Sequence, residues 1–180
     1  MTIPQFTAGQ VLTAAELNAM VDAINAGGAV QVTRFTASGT FTVPAGVTYA
    51  VAHITAGGGG IGSSGAGAGG TSSVAFASGT ISATGGVASN NQDATTDRGS
   101  MAGTANSGHG ASGVAFQTAG GGSTILYSKA QDGATIVAGA AVTPAASITV
   151  TVGAGGTAGT GGGVSAAGGT GYVYIEYAGA

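Results

Sequence analysis

The chain has 180 residues, of which 38 are glycine; only 5% are charged, the net charge is −3 and cysteine is absent. Disulfides and thiolate metal sites are therefore excluded, and three basic residues give no footprint for nucleic acid or an anionic membrane. No run of about 18 apolar residues could cross a membrane as a helix, the first ten residues do not read as a secretory signal, and the glycines keep no collagen period.

Residues 1–28 are distinct from the rest and form a first segment, followed by a glycine-rich body over 29–180. In VLTAAELNAMVDAINAGG, Thr13 and Glu16 have the spacing of a capping box, and Leu12 and Leu17 that of a hydrophobic staple. Leu17, Met20, Val21 and Ile24 then fall on one helical face, and Gly27 and Gly28 supply the stop. The spacing predicts one short helix from about Ala14 to Ala26. Such a helix is marginal alone in water, so its apolar stripe needs a surface to dock on. Its own domain, a symmetry mate and a larger partner all leave the same sequence trace. Leu12, Leu17, Met20, Val21 and Ile24 are the candidate attachment or oligomerisation residues.

From Val30 the period changes to two. Val30 and Val32 alternate with Gln31, Thr33 and Phe35, and Phe41 and Val43 with Thr40 and Thr42. Strands are expected near 30–36 and 39–43, with turns at Ala37–Gly39 and Pro44–Gly46. Val47, Tyr49, Val51 and His53 then oppose Thr48, Ala50, Ala52 and Ile54. Both sets are apolar or small, which predicts burial on both sides. Further strands are expected at 73–77, 80–83, 113–117, 124–127, 135–137, 147–152 and 172–177. In the last, Val173 and Ile175 are expected to face the core and Tyr172, Tyr174 and Tyr177 the other side. Short strands separated by glycine turns give an all-β class, a glycine-rich β-sandwich or jelly-roll-like domain.

Three stretches fit no strand: the glycine-rich 56–70 and 153–171, and the polar 84–112. Segments this long without structure are functional or disordered in ordinary domains. Stacked polyglycine-type strands are one way to order them, but no clean period selects it. The 41 larger apolar residues suffice for one modest core. They do not also offset the ordering of long glycine tracts, so the chain is expected to be completed by an assembly.

Catalytic motifs are weak. Gly65, Gly67 and Gly70 satisfy GxGxxG, but a strand-like TSSVAF follows where a helix is required. No lysine follows a glycine run, so a phosphate-binding P-loop is absent, and no GxSxG elbow exists. Glycoside hydrolysis needs two facing carboxylates, and Glu16, Asp22, Asp93, Asp97, Asp132 and Glu176 offer no convincing pair. Asn90, Asn91, Asp93, Asp97, Arg98 and His109 gather in the polar stretch. They read as a solvated tip and as a candidate receptor-contact loop, and their spacing matches no calcium loop. His53 reads as a core or interface histidine. No enzyme activity, metal or cofactor is expected.

FTASGTFTVPAGVTYAVAHITAGGGG (35–60) and ITVTVGAGGTAGTGGGVSAAGGTGYVYIEYAGA (148–180) resemble the beginning and end of the glycine-rich domain of tailed-phage fibre and tail-tip proteins. FTAGQVLTAAELNAMVDAI (6–24) is similar to the N-termini of small phage virion proteins. The resemblance implies a virion surface component, often a homotrimer. Its N-terminal part would attach to other virion proteins and its C-terminal part would project, sometimes to a host surface glycan or protein. A head fibre, decoration or collar protein that stabilises the particle without a receptor is the alternative. A free glycine-rich binding protein, such as an ice-binding one, fits the strand-like ends and helical lead less well.

Overall fold

The computed structural model describes residues 29–62, 64–90, 96–101, 103, 105–119, 122–160 and 165–179. The helix expected over 14–26 and its apolar stripe lie outside the described residues. All thirteen elements in them are strands: β1 Val30–Phe35, β2 Gly39–Thr42, β3 Tyr49–Thr55, β4 Ile61–Gly62, β5 Ser72–Phe76, β6 Gly79–Ala83, β7 Ser89–Asn90, β8 Thr96–Met101, β9 Ser112–Ala119, β10 Gly122–Lys129, β11 Thr135–Ala141, β12 Ser147–Thr151 and β13 Tyr172–Ala178.

Two four-stranded antiparallel sheets face each other, ordered β1-β13-β3-β11 and β2-β12-β5-β6. Their inner faces follow from alternation. Ala50, Ala52 and Ile54 of β3 and Val173 and Ile175 of β13 meet Phe41, Val74, Phe76, Ile148 and Val150 of the other sheet. Burying an Ile or Phe side chain contributes roughly 1.5–3 kcal/mol, so this small set is the main apolar contact between the two layers.

The structure differs from the sequence-based expectation at β3 and β13. β3 is buried on one side only: Tyr49 is exposed, and Val51 and His53 are half-buried. Tyr177 turns to the core side with Val173 and Ile175, its ring centroid 5.4 Å from that of Phe41. Period two dictates this, since residues 173, 175 and 177 share a face.

The described parts of the glycine-rich stretches, 56–62, 64–70, 153–160 and 165–171, are held by backbone hydrogen bonds. Successive amides of residues 56–61 donate in three directions that repeat every third residue. Ala56 and Gly59 bond to the carbonyls of Ala134 and Gln131 (3.0 and 2.9 Å), and Gly57 and Gly60 to those of Gly70 and Gly67 (3.0 and 2.9 Å). Gly58 and Ile61 bond to those of Gly169 and Ala166 (both 2.9 Å). The carbonyls of the same residues accept in the three remaining directions. Gly57 and Gly60 accept from Gly86 and Ser89, Gly58 and Ile61 from Gly156 and Gly159, and Gly59 from Ala111. A three-residue repeat is that of an extended polyproline-II-type helix, which has no internal hydrogen bonds and must be satisfied sideways.

Segment 56–62 is thus surrounded by six others: 67–70, 84–90, 130–134, 108–111, 166–171 and 153–160. Each neighbour also bonds to the next around the ring, through Gly69 to Gly86, Gln131 to Val87, Ala130 to Ala111, Gly169 to His109, Gly168 to Gly156 and Gly70 to Ala154. The short pair β4–β7 is the outer end of two of these segments. Glycine is required for proximity: a Cβ on Gly57, Gly58, Gly59 or Gly60 would overlap the carbonyl of Ala154, His109, Val87 or Thr157.

This bundle continues the two sheets at one end. β3, β6 and β12 run into it, and β5, β11 and β13 leave it. Beyond it, β9 and β10 depart from Ala111 and Ala130 as a hairpin, with β8 paired alongside β9. β1 begins at the opposite end, where Val30 pairs with Ala178. The entry from residues 1–28 and the β8-β9-β10 sheet therefore lie at opposite poles.

Candidate functional site

The polar stretch 84–112 divides between two roles. Among the described residues, 84–90, 103 and 108–111 bond within the bundle, and Thr96–Met101 pairs as a strand beyond it. Asn90 ends β7, opposite Gly62 at the outer end of the central segment. Asp97 lies opposite Ala115 in β9, and the register slips before Ser100, which places Arg98 and Gly99 in a bulge. A bulge twists a strand and re-aims its side chains, a device found at sheet edges and beside functional sites. Asn91 and Asp93 lie outside the described residues. Backbone register therefore brings Asn90, Asp97 and Arg98 to the pole remote from the N-terminal entry.

His109 sits apart from them, with its backbone in the bundle and its side chain exposed. Its Nδ1 lies 3.6 Å from Oδ1 of Asp132. The amide of Gly110 donates to the same carboxylate (2.7 Å), as does Nζ of Lys129 (3.1 Å). The Gly110 hydrogen bond holds the Asp132 carboxyl below its ordinary value of 3.8; partial burial opposes this, and Lys129 and His109 add to it. Asp132 thus ties the base of the β9–β10 hairpin to segment 108–111. Sequence reading missed this cluster, because Lys129 and Asp132 meet His109 only once the bundle is folded.

The outer face of the β1-β13-β3-β11 sheet is a second surface. Arg34 lies over the Tyr174 ring at 5.5 Å, and the Tyr172 and Tyr174 rings are 5.0 Å apart. His53 Nε2 is 3.3 Å from Glu176 Oε2 across β3 and β13, so His53 is a surface residue paired with a neighbour and not a core histidine. The same face carries exposed apolar residues: Val30, Val32, Tyr49 and Val137 are 67%, 56%, 57% and 57% exposed. Tyr49 lies over Gly139, where a Cβ would be 2.7 Å from the ring carbon bearing the hydroxyl.

Among the described residues no group of three or more His, Cys, Asp or Glu side chains is placed to hold a metal ion. No family model, curated protein or solved structure matches this chain.

Proposed function

We propose that the chain is a non-enzymatic structural protein of a tailed-phage virion, a homotrimeric fibre or tail-tip component whose N-terminal segment faces the particle and whose far pole meets the host surface. In finer detail the two layers are a glycine-rich, jelly-roll-like β-sandwich preceded by one short helix. The observation that supports this is polarity. The entry to β1 and the β8–β9 bulge sit at opposite ends, with the hydrogen-bonded bundle between them. A stiff spacer between an anchor and a polar tip suits adhesion, where weak contacts gain strength from copy number. Ser, Thr and Asn supply the hydrogen-bonding groups that glycans need.

The test is replacement of residues 91–99 in the full chain by a Ser/Gly segment of equal length. This spares the bundle segments on either side. Binding of the labelled protein to host cells should fall at least roughly tenfold while the thermal transition is kept, as expected when a multivalent contact is removed. Unchanged binding would defeat the adhesin reading and favour a decoration or collar protein.

A further inference from the structure

We infer that the outer face of the β1-β13-β3-β11 sheet is the docking surface for the sequence-predicted helix 14–26 of the same chain. Among the described residues, four of the five exposed large hydrophobics, Val30, Val32, Tyr49 and Val137, lie on this face, the fifth being Val87. Scattered apolar residues are ordinary, but four on one sheet face, two on the edge strand β1 and two on β3 and β11 beyond the His53–Glu176 pair, mark an interaction site.

The occupant is identified by where the chain enters. Twenty-eight residues precede Ala29, and they join this very sheet at its edge strand β1. From Ala26 to Val30 is four Cα steps, about 14 Å at full stretch, which spans the ~10 Å between packed layers. Gly27 and Gly28 permit the reversal. A 13-residue helix is about 20 Å long, and strands of six or seven residues run about 20–24 Å, so the two lengths match. Leu17, Met20, Val21 and Ile24 supply an apolar stripe of the width one helix presents to a sheet. Glu16 flanks that stripe and Arg34 is the cation of the face, a complementary pairing. A segment tethered by three residues acts at millimolar effective concentration, so it outcompetes a second copy at ordinary concentrations. The inference does not depend on the virion reading, since it holds equally for the free protein.

The chain has no cysteine, so introduced thiols are unique. In the full-length protein, Ala14→Cys with Val137→Cys should give a within-chain adduct with a short bis-maleimide. Its yield should exceed, by roughly tenfold, that of Ala14→Cys with Ala75→Cys, whose second thiol is on the exposed face of the other sheet. Both sheet positions are exposed, so the substitutions leave the core intact. A chain-to-chain product would overturn the inference in favour of a second copy as occupant. Equal yields from the two pairs, or none from either, would overturn it as well. Neither result bears on cell binding after replacement of 91–99, so the two readings fail separately.

Discussion

Gly58 occupies a position with no room for a methyl group, because a Cβ there would overlap the carbonyl of His109 and meet the Gly110 nitrogen. Both neighbours are backbone, held by the ring of hydrogen bonds, so neither can move aside cheaply. Gly65 is different: it has a φ of +69° and nothing within 4 Å of an added Cβ. The first glycine is needed for space and the second for backbone conformation. Gly58→Ala should therefore cost about 3 kcal/mol, the upper end for overpacking, against about 1 kcal/mol for Gly65→Ala. Urea unfolding monitored by tyrosine fluorescence measures both. Equal midpoints for the two variants would mean that the tight packing around Gly58 is absent in solution.

At the level of elements, alternation made the two sheets readable. Phe41 and Val43, Ile148 and Val150, and Val173 and Ile175 each announce a strand and its buried face, and the strands stand where these residues place them. The bundle was not readable in the same way. Its central segment is enclosed on all sides and so is unbroken glycine from 57 to 60, with no period to detect. The outer segments do keep a three-residue spacing, in Gly67 and Gly70, Gly153, Gly156 and Gly159, and Gly168 and Gly171. Each run is only two or three members long, and the positions between hold Gly69, Gly155 and Gly169 as well as Ala154, Thr157 and Thr170, which blurs the spacing. A period of three within short runs was the available signal. Of the candidate site, the polar character of 84–112 was legible as composition, whereas its division between bundle segments and the strand Thr96–Met101 depends on partners more than 40 residues away, such as Gln131 for Val87 and Thr170 for Gly108. The Asp132 cluster joins two of these segments. Because its carboxyl is held below 3.8 by the Gly110 amide, its contribution is present in full above the unfolded carboxyl value of about 3.9. It is lost as pH falls through the lower folded value. Asp132→Asn should therefore be less stable than the parent at pH 7, with the gap closing below about pH 4. A gap independent of pH from 7 to 3 in thermal unfolding would show that the carboxylate charge is not involved.

For the whole molecule, composition pointed to a chain too poor in large apolar side chains to order its glycine tracts. The structure answers that deficit with backbone hydrogen bonds. The glycines give up side-chain burial and gain lateral bonding in six directions, so the spacer between the two poles is built from the main chain itself. Amide exchange across the full-length protein, read residue by residue by NMR, tests this most directly. Gly57, Gly58, Gly59 and Gly60 belong to no strand, yet their amides should exchange as slowly as those of Ile54 and Val173 in the sheets and open only with global unfolding. Exchange of these four amides at the rate of an exposed loop, while the sheets stay protected, would contradict an ordered bundle and the rigid two-pole arrangement built on it.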